Sequence, residues 1–264
     1  MCYTAERKHE SVLNTRDISK TEMLSGIHPV AEAMAAGRRK IHRVYISSAK
    51  PSKRVSKIAE RARRLDIPVS AASREEIRKM TKNQHHQDIA ASTDAFPLSD
   101  FNSMLEAGKK TVSGSFFLVI DSLLDPQNLG AIVRTSMCTG VTGIIIPRDR
   151  SAAPTPTVSR ASAGALEHAR LCIVTNLANT MKDLKKNHFW TIGLDQKAKL
   201  PIFKTDMTGS LALVIGGEDT GIRPLVQRQC DFICRIPQTG PIGSLNASVA
   251  GAMAMYEAMR QRIK

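Results

Sequence analysis

Aromatic residues make up only 4% of this 264-residue sequence, too few to interleave with its basic stretches as a stacking platform for nucleobases. Acids are also in deficit: 24 Asp and Glu face 38 Lys and Arg, a formal net charge of +14. That surplus favours a polyanionic partner, nucleic acid ahead of an anionic membrane, because no apolar run reaches the length that crosses a bilayer and no signal peptide opens the chain. Nucleotide-binding fingerprints are missing as well. There is no GxGxxG and no glycine-rich loop ending in Lys-Ser/Thr, which disfavours a dinucleotide oxidoreductase and a P-loop enzyme. The five cysteines, Cys2, Cys138, Cys172, Cys230 and Cys234, are an odd number with no CxxC pair. They read as reduced thiols of a cytoplasmic protein, with Cys230 and Cys234 as packing residues and no metal site.

What the chain does have is two stretches of different pattern. Residues 1–20 are polar and aperiodic and read as a mobile tail. Residues 21–95 read as a small α/β domain: a helical pattern runs to Ala36 after Gly26-Ile27-His28-Pro29, strands are expected at 44–46, 67–69 and 89–91, and a short helix near 74–80. Within it Val55, Ile58, Ala62 and Leu65 make the apolar stripe of a helix whose other side carries Lys53, Lys57, Arg61 and Arg64. Those four cations, read without acidic partners one turn away, are a candidate RNA contact; a solvated helix face is the other reading. Residues 96–115 read as a linker with one short helix, and residues 116–264 as a second domain.

From residue 116 onward, apolar runs at 117–120, 143–146, 171–174, 189–194, 211–215 and 232–236 alternate with helical patterns at 129–138, 177–187 and 245–263. Continuous apolar strands between helices imply a parallel sheet covered on both faces. Such sheets bind ligands beyond the carboxyl ends of their strands. Two of those ends are glycine-rich. Gly216 and Gly217 precede Glu218 and Gly221; Pro237 opens a loop with Gly240, Pro241 and Gly243, after which Ser244, Asn246 and Ser248 crowd the start of the last helix. The apolar positions of that helix are Leu245, Val249, Met253, Tyr256 and Met259. The loops read either as ordinary strand-to-helix turns, with Ser244 as a helix cap, or as a pocket. A phosphate cradle fits poorly because Glu218 would repel a pyrophosphate; a ligand with a positive centre suits the pocket better. A third strand end, DSLLDPQNLGAIVRTSMC, puts Asn128 between Pro126 and Gly130, with Arg134 on the helix that follows. An arginine among Ile132, Val133 and Met137 needs a partner or a task. The partner would be Asp121 or Asp125, and Asn128 reads equally as a turn residue.

Taken together, NxGxxxR (Asn128, Gly130, Arg134), GxExxG (Gly216, Glu218, Gly221) and IPxxGxxxSLNxSVA (residues 236–250) resemble the three signature motifs of the SpoU family of RNA ribose 2′-O-methyltransferases, within the SPOUT superfamily. The resemblance extends over about residues 24–262. DRSAAPTPTVSRASAGALEH and VTNLANTM look like the branch that methylates a guanosine ribose in large-subunit ribosomal RNA, and GIHPVAEAM with HHQDIAAS is similar to that branch's ribosomal-protein-like α/β RNA-binding domain.

The resemblance implies a deep trefoil knot in the carboxyl-terminal parallel-sheet domain, and S-adenosylmethionine held by Gly216, Gly217, Ile236, Ser244 and Leu245, largely through backbone. It also implies a homodimer in which Arg134 serves a site shared between chains. Arg134 would act on the ribose hydroxyl as a general base after deprotonation, or as a fixed cation beside the forming alkoxide; the second is easier, because arginine resists deprotonation. Asn128, Glu218 and Asn246 would orient Arg134 and the ribose. A tRNA ribose methyltransferase and a non-catalytic RNA-binding or ribosome-assembly factor are the other functions open to such a chain. Three positions depart from the family pattern: Asp88, where HQG usually continues, Asp219, where a glycine commonly follows the glutamate, and Ser136, where alanine is frequent.

Overall fold

The computed structural model describes residues 21–47, 51–109, 114–218, 220–241 and 243–263. The tail expected at residues 1–20, part of the linker and Asp219 lie outside the described residues.

The first unit is built from β1 (Glu22–Ser25), α1 (Ile27–Ala36), β2 (Ile41–Ser47), α2 (Lys53–Arg64), β3 (Val69–Ala72), α3 (Arg74–Thr81) and β4 (Ile89–Thr93). Its sheet has the order β1-β4-β2-β3 and is antiparallel except between β2 and β3. The strand expected at 67–69 begins later than the apolar pattern suggests. Asp66 takes a left-handed φ of 55°, and Ile67 N donates to Ala62 O at 2.9 Å, so these residues still close off α2. Val55, Ile58 and Ala62 turn into the core, whereas Leu65, the last residue of the expected stripe, is exposed just past the helix end. Asp88 sits at φ 62°, a conformation in which glycine is easiest and aspartate tolerated, and both its carboxylate oxygens accept from Arg74, at 2.8 and 2.9 Å.

After α4 (Phe101–Lys109), the second unit runs β5 (Phe116–Asp121), α5 (Pro126–Cys138), β6 (Gly143–Pro147), α6 (Pro156–Ala161), β7 (Leu171–Val174), α7 (Leu177–Lys186), β8 (Trp190–Leu194), β9 (Leu200–Pro201), β10 (Leu211–Gly216), α8 (Pro224–Gln227), β11 (Phe232–Arg235) and α9 (Ala247–Arg262). The sheet order is β7-β6-β5-β10-β8-β11-β9, every neighbouring pair parallel, as the apolar runs imply. Both faces are covered. Leu118, Ile120 and Leu213 pack with Leu129 and Ile132 of α5 and Met255 of α9, while Phe117, Val119 and Val214 pack with Met181 and Leu184 of α7.

Two helices differ from their sequence pattern in ways that matter for the site. α5 starts three residues before Leu129, because Asp125 accepts from Gln127 N at 3.0 Å and Asn128 N at 3.3 Å and Pro126 needs no donor in the first turn. α9 buries Gly251, Ala254, Met255 and Ala258, and leaves the larger stripe Val249, Met253 and Tyr256 exposed. The apolar spacing that marks this helix in the sequence therefore marks its outer side.

A buried polar contact joins the two units. Arg39 donates to both carboxylate oxygens of Glu167, at 2.8 and 2.6 Å, and to Glu22 Oε2 at 2.6 Å. Ser159 Oγ donates to Glu167 Oε1 at 2.6 Å, so the carboxylate is held from both units. Neighbouring Arg38 donates to the carbonyls of Glu167, Ala169 and Pro97 and lies over the Phe96 ring. Because the Arg39 and Glu167 side chains are each 2% exposed, removing Glu167 leaves two of the buried guanidinium's donors without their acceptor, with Glu22 and the Asp94 carbonyl its remaining partners. Glu167→Ala is expected to cost about 3–5 kcal/mol in equilibrium urea unfolding; a loss under about 1 kcal/mol would show that the contact does not hold the units together.

Candidate active site

Three strand ends meet at the carboxyl edge of the sheet. β5 and β10 pair in register, with Gly216 opposite Asp121, so the loops leaving them start side by side. The β10 loop then folds tightly on itself: Gly221 N donates to Gly217 O at 3.0 Å, and the two glycines form an isolated bridge. A side chain at Gly216 would overlap the Gly221 backbone, and one at Gly217 would overlap Ser122 O, so both positions require glycine for close approach.

An anchor that the sequence motifs do not announce holds this loop. Asp121 is fully buried at the end of β5, and its carboxylate accepts from Arg223 N at 2.8 Å and from Arg223 Nε at 2.7 Å. The acid expected as a partner for Arg134 is thus committed to Arg223, and Asp125 is committed to the α5 cap. Arg134 itself is exposed, and has no hydrogen bond or ion pair among the described residues. The structural ion pair weighed from the sequence is not formed.

Asn128, Glu218 and Asn246 come together. Asn128 Nδ2 donates to Glu218 Oε1 at 2.8 Å, Asn246 Nδ2 donates to the same oxygen, and Asn246 Nδ2 also reaches Asn128 Oδ1 at 3.1 Å. Asn246 is at the same time the cap of α9, its Oδ1 accepting from Ser248 N at 2.9 Å and Val249 N at 3.3 Å. Ser244 does not cap the helix; it lines the neighbouring cavity instead. Arg134 stands outside the cluster: it lies six residues beyond Asn128 on α5, roughly 9 Å further along the helix axis.

Beside the cluster is a cavity of about 440 Å³, whose lining includes Gly216, Gly217, Ile236, Ser244 and Leu245 as well as Glu218. Part of its lining was not legible from the motifs. Asp195, just beyond β8, also lines it and accepts from Gln227 Nε2 at 3.0 Å and from Lys197 N at 2.8 Å. Two carboxylates, Asp195 and Glu218, together with Ile236, Leu245 and Ile222, make a mixed pocket of ligand size.

Elsewhere, Lys53, Lys57, Arg61 and Arg64 are all exposed on α2 with no ion pair among the described residues. Glu60 stands one turn before Arg64, yet no salt bridge joins them. Arg54 and Arg63 extend the same basic surface. Burial pushes the thiol of Cys230 up to about 12 and that of Cys234 up to about 11, so both stay protonated and packed. Among the described residues no group of three or more His, Cys, Asp and Glu side chains is placed to hold a metal ion.

Comparison with known proteins decides the family. The model of the SpoU rRNA Methylase family matches residues 115–256, and that for RNA 2′-O ribose methyltransferase substrate binding matches residues 23–98. The chain belongs to the SpoU rRNA methylase family. Its relatives include two proteins named 23S rRNA (guanosine-2′-O-)-methyltransferase RlmB. That of Acinetobacter baylyi is 37% identical over 93% of this chain and 100% of its own length; that of Coxiella burnetii is 35% identical over 93% and 98%. The crystal structure of the SpoU methyltransferase AviRb from Streptomyces viridochromogenes in complex with AdoMet superposes with a TM-score of 0.78, at 22% identity, over 92% of this chain and 90% of that one, and shares the fold. In this SpoU chain the motif residues Asn128, Glu218 and Asn246 are the ones that meet in space.

The two carboxylates at this edge should behave differently. Asp121→Ala removes a buried acceptor and strands part of Arg223, and is expected to cost about 2–4 kcal/mol in urea unfolding. Glu218→Ala, at an exposed position, should cost about 1 kcal/mol or less. Equal losses in the two variants would refute the division between a loop anchor and a site residue.

Proposed function

We propose that the protein transfers the methyl group of S-adenosylmethionine to the 2′-hydroxyl of a guanosine ribose in large-subunit ribosomal RNA. The observation that carries this reading is the Asn128–Glu218–Asn246 cluster at the rim of a two-carboxylate cavity, in a chain whose RlmB-named relatives align over more than nine-tenths of its length.

The cavity fits the cofactor by its donor set. Asp195 and Glu218 suit a ligand with positive centres, while Ile236 and Leu245 offer apolar walls. Gly216, Gly217, Ile236, Ser244 and Leu245 hold the cofactor, largely through backbone. When bound, S-adenosylmethionine supplies an electrophilic methyl on a sulfonium.

The chain must then bring a ribose oxygen into line and manage its proton. Glu218 Oε1 is occupied by two amides, while Oε2 has no hydrogen bond among the described residues and is free to accept from the ribose or from Arg134. Asn128 and Asn246 fix the carboxylate in one orientation. Arg134 acts as a fixed cation beside the ribose oxygen as the hydroxyl proton passes to solvent water, and stabilises the charge that develops in the transition state.

Since Arg134 makes no contact with the cluster of its own chain, the active centre is completed in a homodimer. The exposed stripe Val249, Met253 and Tyr256 on α9 supports this, together with the adjoining groove of about 380 Å³ beside Phe203. The order of the sheet, with β10 inserted between β5 and β8, and the convergence of the last loops on β5 support a deep trefoil knot. The division into a substrate-binding unit at 21–95, a linker at 96–115 and a catalytic unit at 116–264 belongs to the same reading. So do RNA binding by Lys53, Lys57, Arg61 and Arg64 and a cytoplasmic location. Among the described residues no helix is long and apolar enough to cross a membrane.

The test is transfer of labelled methyl from S-adenosylmethionine to total RNA from a host lacking this activity. Wild type should label large-subunit RNA. Arg134→Ala and Arg134→Lys should each lose roughly 100-fold or more in kcat while retaining cofactor affinity by calorimetry. Near-full turnover by Arg134→Lys would remove Arg134 from its proposed role, and labelling of tRNA alone would transfer the activity to a different substrate.

A further inference from the structure

The cavity takes its walls from the ends of β8, β10 and β11 and none from β6. On the other side of the cluster, β6 runs parallel to β5 with Val119 opposite Ile145. The loops leaving β6, β5 and β10 start from the same edge of the sheet, in that order across it. The loop at 148–151 is therefore on the β6 side of the cluster's loops, away from the strands that line the cavity.

Three independent features set this loop apart. Arg148 and Arg150 are exposed and make no side-chain hydrogen bond or ion pair among the described residues, although Asp149 stands between them. Arg150 adopts a left-handed φ of 57°, where a long side chain is disfavoured. Ser151 Oγ is the single buried side-chain polar atom among the described residues with no hydrogen-bond partner. Meanwhile the loop is firmly placed: Arg148 N donates to Val174 O at 2.9 Å, and Ala152 N donates to Leu123 O at 2.7 Å, next to Leu124, which is 68% exposed. A firmly placed loop that presents two exposed, unpaired guanidinium groups suits the phosphodiester backbone of a nucleic acid.

The same loop leads directly into α6 and the Glu167 turn, the part of the second unit on which Arg39 docks. It lies along the chain between the docked first unit and the catalytic rim. We infer that residues 148–151 are an RNA-backbone contact flanking the target nucleotide, in which Arg148 and Arg150 hold adjacent phosphates. This inference rests on the RNA-methylating reading above and adds to it the side from which the strand approaches.

The experiment is titration of fluorescently labelled, unmodified large-subunit ribosomal RNA transcribed in vitro into the full chain, followed by anisotropy over a series of salt concentrations. Arg148→Ala/Arg150→Ala should weaken binding at least tenfold near 0.1 M salt and make the log–log salt slope shallower by roughly 1.4–1.8, the release from two phosphates. Its affinity for S-adenosylmethionine by calorimetry should be unchanged. RNA affinity and salt slope equal to wild type in the double variant would overturn the inference. Weakened RNA binding in that variant, alongside a wild type that transfers no methyl to any RNA, would sustain the contact and sink the methylation reading instead.

Discussion

One carboxylate oxygen, Glu218 Oε1, is where the three loops of the site meet. It receives the amides of Asn128 and Asn246, which lie 90 and 28 residues away along the chain. Such charge-assisted bonds are favourable, but at an exposed position they cannot position three loops by themselves. Each loop is instead placed by its own device: the Asp125 cap starts α5, the buried, long-range Asp121–Arg223 pair ties down the glycine turn, and the Asn246 cap starts α9. The cluster is the meeting point of three elements already fixed, so its geometry is set before any ligand arrives.

That arrangement explains what could be read from the sequence. Local patterns were legible: the alternation of apolar strands and helices gave the parallel sheet, and glycine positions gave the strand ends where ligands bind. The three motifs named Asn128, Glu218 and Asn246 as site residues, and the fold brings these together. Long-range pairing was not legible. Asp121 and Arg223 are 102 residues apart, and nothing in either local pattern distinguishes a loop anchor from a surface ion pair. Arg39 and Glu167, 128 residues apart, are hidden for the same reason. The stripe on α9 shows the converse limit: helical spacing reports a face, and whether that face turns inward depends on the room beside β10 and α5, where a side chain at Gly251 would overlap Ile215.

The two units act as one surface through Arg39. A basic helix, α2, belongs to the unit that Arg39 docks onto Glu167, just after α6 in the second unit. With few aromatic residues and a formal net charge of +14, the chain is suited to recognising an RNA by backbone and shape rather than by base stacking.

The most direct measurement of the central claim is the chemical identity of the product. Unmodified large-subunit ribosomal RNA would be incubated with the protein and S-adenosylmethionine, digested to nucleosides and analysed by mass spectrometry with fragmentation. The account predicts 2′-O-methylguanosine, with the added mass on the ribose fragment. A methyl found on a base fragment, or no methylated nucleoside from RNA of any class, would contradict it.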